Sequence, residues 1–401
     1  MALLDSLREK WKEAMGWDDE ITNVVDVVLS CYLTPWLPGN QNPCWCLASG
    51  PAGCGKSTIL NVLRYVKPRG RTVPLDDMTE KALTSHYRDE KTGKTNFGIL
   101  DRISRDVEPK GPKVLLCSEF STVMTTRRDS LSKQLAIFRQ SFDGHCATHG
   151  GMDGERNREF GRFGFLAAGT ESSEEFLATN QVFGERTIKY RWFRKPPTYT
   201  ERKALANRVM KAQPVDFERC MNEIQQMTSH LLGAASGFLN SLSAKGWQTC
   251  NRTPGIEASV KDLGNLATLI RSGPGSQEVP SRLPLQLRAF GDAHTCLSGR
   301  QSWDDTELRL IRRIAQDSPA VRAIRLLVAV FRGDQSAAVN WIKPELARLQ
   351  AKLPPSQREW TESQLQHWAL LGLMESKNDS YRIPLHVAQD IQETQFLEGY
   401  T

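Results

Sequence analysis

The stretch that decides the fold reads Trp45-Cys46-Leu47-Ala48-Ser49, followed by Gly50-Pro51-Ala52-Gly53-Cys54-Gly55-Lys56-Ser57-Thr58. A short apolar run stops at a glycine-rich turn, and Ser57 to Val66 then has helical character. The turn fits G-x-x-x-x-G-K-[ST] at every position. Gly50, Gly53 and Gly55 permit positive φ and close approach of the backbone. Successive N–H groups can then point inward as an anion nest, ahead of a helix N-terminus. Lys56 would reach the β- and γ-phosphates of a nucleotide, and the Ser57 hydroxyl would ligate Mg²⁺. A chance match in a glycine-rich turn is the competing explanation. The strand before and the helix after argue against it.

Working outward, Val114 to Cys117 is a second short buried strand, in "KVLLCSEFST" (Lys113 to Thr122). A carboxylate at its end would hold the Mg²⁺ shell or polarise an attacking water. Glu119 is that carboxylate, with Ser118 where an Asp is expected before it. Either Glu119 does both jobs, or the site hydrolyses slowly, or Glu119 is a surface residue after a core strand. Asp129 to Phe142 has helical periodicity through Leu131, Leu135, Phe138 and Phe142. Gly144 to Gly164 is polar and basic, a loop or hairpin. Phe163 to Gly169 and Ile188 to Phe193 are two further strands. Strands alternating with helices imply a parallel, doubly wound sheet up to about residue 195.

The expected fold class is α/β, a P-loop NTPase core with a parallel sheet, a helical lid and a winged-helix-like end. The boundaries drawn are an N-terminal helical segment over 1–43, the nucleotide-binding core over 44–196, the lid over 197–318 and the C-terminal domain over 319–401. Tyr199 to Leu242 and Leu283 to Ala315 read as helical, as do Val321 to Phe331, Lys343 to Leu353 and Glu362 to Leu371. Leu370 to Leu385 has the outline helix, strand, polar turn, strand. Trp341, Trp360 and Trp368 sit in helical segments, as core residues rather than stacking platforms.

The 401 residues are 39% hydrophobic and 24% charged, an ordinary globular mixture that excludes a wholly disordered chain. With 52 basic and 46 acidic residues the net charge is +6, so nucleic-acid contact would need local basic patches. Nine scattered cysteines suggest reduced thiols and a cytoplasmic protein. His145, Cys146 and His149 cluster without a fourth metal ligand and read as a polar loop. No run of about 18 apolar residues occurs, so no membrane partner is expected.

Several motifs together resemble those of AAA+ ATPases, and within them a bacterial and phage-borne group of mobile-element ATPases. They are the glycine-rich loop, Ser118-Glu119-Phe120, Ser141-Phe142-Asp143-Gly144, Phe165 to Thr170, and Gly184-Glu185-Arg186-Thr187. The likeness covers roughly residues 45–320. It implies ATP and Mg²⁺ as cofactors, with Thr170 at the sensor-1 position. It implies that Arg186 is an arginine finger acting on a neighbouring subunit's ATP, as in minichromosome-maintenance-like helicases; Arg191 is a second candidate. Pro280-Ser281-Arg282-Leu283 is similar to a lid motif whose Arg282 is sensor 2. A fixed guanidinium suits such tasks because it stabilises a transferring phosphoryl group. The alternatives are a surface salt bridge for Arg186 and a helix-start charge for Arg282. The chain departs from the group at the strand-end Asp and at Thr187, where a Phe is usual. The first departure bears on hydrolysis and not on nucleotide binding.

Arg127 and Arg128 follow the acidic strand, and Arg156, Arg158 and Arg162 precede the Thr170 strand. They would contact DNA phosphates in a salt-sensitive way, or else lie on solvated loops. The leading expectation is an ATP-hydrolysing homo-oligomeric ring, in the limit a hexamer, acting on DNA as motor or loader. The alternative is an ATP-dependent switch or scaffold, for example in phage defence, with slow hydrolysis. A small-molecule kinase fits less well, because such kinases seldom carry a lid and winged-helix extension.

Overall fold

The computed structural model describes residues 2–16, 19–40, 42–67, 69–75, 82–83, 86–88, 95–104, 106–124, 128–149, 155–159, 161–179, 186–193, 198–211, 214–244, 250–273, 278–333, 355–377 and 380–399. In chain order the helices are α1 (Ala2–Met15), α2 (Asp19–Leu33), α3 (Lys56–Val62), α4 (Ile99–Arg102), α5 (Ser121–Met124), α6 (Arg128–Phe142) and α7 (Glu171–Thr179). They continue as α8 (Tyr199–Lys211), α9 (Pro214–Ala244), α10 (Pro254–Arg271), α11 (Leu283–Leu297), α12 (Asp305–Asp317), α13 (Val321–Gly333), α14 (Pro355–Leu370) and α15 (Leu385–Glu393). The strands are β1 (Trp45–Ser49), β2 (Thr72–Pro74), β3 (His86–Arg88), β4 (Thr95–Phe97), β5 (Val114–Cys117), β6 (His145–His149), β7 (Glu155–Glu159), β8 (Gly164–Gly169), β9 (Thr187–Arg191), β10 (Glu375–Lys377) and β11 (Ser380–Arg382).

Five strands form one sheet in the order β2-β5-β8-β1-β9, every pair parallel. Parallel neighbours need crossovers, and the helices that supply them cover both faces. Alternation along β1 sends Trp45 and Leu47 to one face. There they join Leu115, Phe165 and Ala167 beneath Leu131, Leu135 and Phe138 of α6. Cys46 points to the other face, beside Cys31 of α2 and Cys44. Helices α2 and α3 pack against the sheet, and α9 packs along α1, α2 and α3. With both faces covered, all five residues of β1 are buried. That is why these strands are continuous apolar runs without polar alternation.

Trp45 is the centre of the α6 side. It is fully buried, its ring 5.0 Å from Phe142, 5.3 Å from Phe163 and 5.4 Å from Phe165. Its Nε1–H donates to the Phe163 carbonyl at 3.0 Å. The indole thus joins packing across three elements to a satisfied polar edge.

The strands expected at 45–49, 114–117, 163–169 and 188–193 are all present, and Gly144 to Gly164 contains the hairpin β6–β7. A fifth strand, β2, was not expected: three residues at the sheet edge give too short an alternation to read. Helix α3 is shorter than the expected Ser57 to Val66 and ends in a 3-10 turn, Leu63–Tyr65. The single helical stretch expected from Leu283 to Ala315 is two helices, α11 and α12. The expected helix over Lys343 to Leu353 and Trp341 lie outside the described residues.

The chain divides into two compact units, Met1–Asn251 with Arg288–Glu307, and Arg252–Leu287 with Leu308–Thr401. The second unit contains α14, the antiparallel pair β10–β11 and α15. Trp368 is buried there, and the Arg322 guanidinium lies 4.5 Å over the Trp360 ring. Among the described residues no helix is long and apolar enough to cross a membrane.

A buried ionic chain ties α1 and α2 to residues 294–307 within the first unit. Arg8 clasps Asp26 with Nε at 2.9 Å and a terminal nitrogen at 2.6 Å. His294 lies 3.7 Å from Asp26 by Nε2 and 2.5 Å from Glu307 by Nδ1. Glu307 also receives Arg300 and, at 2.8 Å, the Asp304 amide. Burial alone would lower the His294 pKa, but Asp26 and Glu307 outweigh it and hold it above the ordinary 6.5. Burial would raise Asp26, but His294 and Arg8 hold it below 3.8.

Two outcomes are expected. Trp45→Ala should lower unfolding free energy by about 3–5 kcal/mol, the usual cost of emptying a large aromatic site; a urea midpoint within error of the parent would refute the central role of this ring. The His294 contribution is complete below its unfolded pKa and disappears as pH rises through its elevated folded value. The Asp26 contribution is present above its unfolded pKa and disappears as pH falls through its depressed folded value. Stability should therefore decline on both sides of neutrality. His294→Gln should flatten the alkaline limb and, because it removes one of the two cations on Asp26, also weaken the acid limb, read as urea midpoints across both limbs; an alkaline slope equal to the parent's would contradict this.

Candidate functional site

Parallel pairing sets the geometry of the loop. β1 runs between β8 and β9, with Ser49 level with Gly169 and Arg191. The Gly50 amide donates to the Gly169 carbonyl at 3.2 Å, so the sheet ends where the turn begins. Gly50 has Trp192 against it: a Cβ there would stand 3.0 Å from the Trp192 carbonyl and 3.3 Å from Cys54 Sγ. Gly53 and Gly55 have φ of 76° and 96°, and Gly55 caps α3. Pro51, Ala52 and Gly53 are exposed, while Cys54 is buried under the turn. Burial pushes the Cys54 thiol pKa up, against the pull of the Lys56 charge.

The Lys56 ammonium lies over its own loop, donating to the Gly50 carbonyl at 2.9 Å and the Pro51 carbonyl at 2.6 Å. Its Nζ is 3.6 Å from Cys54 Sγ. A cation, a glycine-rich backbone with two left-handed residues and a helix N-terminus are the components of a turn suited to an anionic oxygen cluster. Thr58 continues α3.

The Ser57 hydroxyl donates to the Ser118 carbonyl at 3.0 Å. This bond joins the loop to the end of β5, across the intervening β8. The Ser118 hydroxyl donates to Asn61 Oδ1 at 2.8 Å and accepts from Arg64 at 3.1 Å. Ser57, Asn61 and Arg64 are spaced i, i+4, i+7, one face of α3 and its 3-10 extension. Glu119 is exposed, with its carboxylate accepting from Ser121.

Thr170 ends β8 beside the loop. Its hydroxyl is 2.7 Å from Ser172 Oγ, and its amide donates to Ser173 Oγ at 3.2 Å. Beneath it lies a buried trio: Ser49 donates to one oxygen of Glu174, and Arg191 Nε donates to the other at 2.7 Å. Glu174 is 3% and Arg191 7% exposed.

The structure brings together Gly50 to Thr58, Ser118 and Thr170 at the carboxyl ends of the strands. Arg186 stands at the other end. It precedes β9, whose first residue is level with Trp45, so it lies about 16 Å of strand away from the loop. It is 5% exposed, over the Phe142 ring at 5.5 Å and 3.9 Å from Asp143. Arg162, before β8, shares that end with Asp143, His145 and Trp36, around a cleft of about 650 Å³. Arg282 belongs to the second unit, half-buried before α11. Arg128 begins α6, and Arg156 and Arg158 lie on β7. Arg127, Gly184 and Glu185 lie outside the described residues. Cys146 is buried, 3.6 Å from Gln140 Oε1. Among the described residues no group of three His, Cys, Asp or Glu is arranged to hold a metal.

Mg²⁺ takes about six hard oxygen ligands in an octahedron. Beside Ser57 the protein would supply one hydroxyl, the remaining ligands coming from phosphate and water. The Ser57 hydroxyl gives its proton to the Ser118 carbonyl and keeps its lone pairs for a cation, but the neighbouring hydroxyl, Ser118, carries a guanidinium where a carboxylate would stand. The Ser57–Asn61–Arg64 face and the Glu174 trio both escaped the sequence reading. The i, i+4, i+7 polar spacing was a usable signal for the first, whereas Glu174 in "ESSEEF" has nothing to distinguish it from its acidic neighbours.

The chain matches no known family model. No curated protein matches it either.

Gly55→Ala should cost about 1–2 kcal/mol, because a side chain at that φ is strained. A Cβ there would also collide with Met15 Cε, the end of a flexible side chain. Adding Met15→Ala should therefore restore little of the loss in a urea titration. Full recovery would show that the clash, and not the backbone, requires glycine.

Proposed function

We propose that this protein is a P-loop ATPase of AAA+ character that binds ATP at Gly50–Thr58 and turns it over slowly, as a nucleotide-dependent switch. The observation that carries the reading is the complete loop motif set between a fully buried parallel strand and a helix, with Lys56 Nζ held over the loop's own carbonyls. The backbone amides and Lys56 bind the polyphosphate. Gly50 and Trp192 hold the turn in place, and Thr170 offers a hydroxyl beside it. Ser57 is the residue that would hold a divalent cation beside the phosphates, without a carboxylate at the Ser118 position.

The alternative, a ring-forming motor on DNA, needs an arginine that reaches a neighbour's phosphates and a carboxylate that activates water. Two observations favour the switch. Arg191 is buried on Glu174 and Arg186 is buried over Phe142. Glu119 follows a strand end whose Asp position is Ser118, bonded to Arg64. The helix, hairpin and helix at 355–393 support a winged-helix reading of that segment, in which the Arg382 side chain pairs with Glu375 across the hairpin.

Titration with a fluorescent ATP analogue, followed by phosphate release with and without DNA, tests the reading. Binding should be lost in Lys56→Ala, and turnover should be on the order of 10⁻³ per second or slower, the scale of a P-loop site with no supplied arginine. Turnover that DNA accelerates would hand the case to the motor. No nucleotide binding at all would end both.

A further inference from the structure

A cavity of about 260 Å³ lies in the first unit, past the C-terminal end of α3. There Val66 and Lys67 meet the end of α2, the chain entering β2 and the C-terminal half of α9. Its lining carries two cations, Arg71 and Lys67, and among the described residues no carboxylate. Arg71 is half-buried, with its guanidinium 5.6 Å over the Trp36 ring. Trp36 stacks in turn on Tyr32 at 5.3 Å, and the Tyr32 hydroxyl is 3.2 Å from Thr72 Oγ1. This stack fixes the guanidinium without neutralising it. Arg71 Nε is buried without a hydrogen-bond partner, and among the described residues Arg71 forms no ion pair. The charge near it has its own sign: burial, and after it Arg71, holds Lys113 below the usual lysine pKa. A guanidinium partly kept from water without a counter-ion is costly, and an oxyanion in the cavity would offset that cost through forked hydrogen bonds.

The α9 wall is open. Gly233 and Gly237 stand one turn apart in the lining, and a Cβ at either would meet no atom within 4 Å. Glycine inside a helix lowers its stability relative to alanine. Neither packing nor a left-handed backbone demands glycine at these two positions. Their effect is to leave space beside Leu232 and Val66.

We propose that this cavity binds a small organic oxyanion, a carboxylate or phosphate carried on a single apolar ring. Arg71 and the exposed Lys67 take the charged head, and Leu33, Val66 and Leu232 cover the ring. Trp36 holds Arg71 in place from the side opposite its own hold on Tyr32. No reaction is assigned to the site. It is separate from the proposed nucleotide site, and neither falls with the other.

The test is isothermal titration of the full chain with phenyl phosphate, phenylacetate and benzyl alcohol. The chain carries Lys56→Ala, so that the glycine-rich turn does not compete for phosphate. The first two probes separate a phosphate head from a carboxylate, and the third has a ring without charge. At least one anion should bind with a Kd below about 1 mM, and benzyl alcohol should bind about tenfold more weakly or worse. Arg71→Gln should weaken the anion by about tenfold or more and leave benzyl alcohol unchanged. With no probe present, the same variant should keep or raise the thermal midpoint, because it removes a charge that has no counter-ion. Gly237→Leu, which fills the open wall, should abolish binding of both anions, and it decides the matter if Arg71→Gln does not fold. A Kd above about 1 mM for both anions, equal affinity for benzyl alcohol, or an anion affinity indifferent to these two variants in folded protein overturns the proposal.

Discussion

The insertion of β1 between β8 and β9 is the constraint on which the rest depends. Hydrogen bonds on both edges leave Ser49 no freedom of direction, and the Gly50 amide is fixed to Gly169. Everything chemical then follows from where that strand stops. The loop begins at a rigid edge, α3 leaves it at a set angle, and Ser57 arrives beside the end of β5. Had β1 been an edge strand, the turn would hang from one ladder alone.

The two sides of the loop are tied down by different chemistry. On the β9 side, Glu174 pairs with Arg191 and accepts a hydrogen bond from Ser49 in a buried set. Such a pair contributes rigidity more than net stability, since burying both charges costs much of what their attraction returns. On the β5 side, Arg64 ends on a neutral hydroxyl. The one side holds the framework through an ion pair, and the other ties α3 to the end of β5 through hydroxyl and amide groups.

The sheet was legible because each of its central strands is buried on both faces, so it is written as an unbroken apolar run ahead of a turn: "WCLAS", "VLLC" and "GFLAAG". The edge strand Thr72–Pro74 was not, because three residues carry no period. The glycine-rich turn was legible because Gly53 and Gly55 take positive φ at fixed offsets from the end of β1. The residues around it were not. Glu174, Arg191 and Arg64 become neighbours of the loop only through strand order and crossover, and nothing local in their sequence marks them. For the same reason Arg186 was identifiable as a motif position, while its burial over Phe142 was not.

Trp192 lies directly behind the turn, its backbone against Gly50 and the outer edge of its indole beside Gly55. The next ring, Phe193, stacks on it at 5.7 Å in a left-handed backbone conformation. An indole so placed is a natural reporter beside the glycine-rich turn. Replacing the other nine tryptophans is not needed to exploit it: a fluorinated indole gives each ring its own resonance, and the line that vanishes in Trp192→Phe reports the state of the glycine turn without any attached dye.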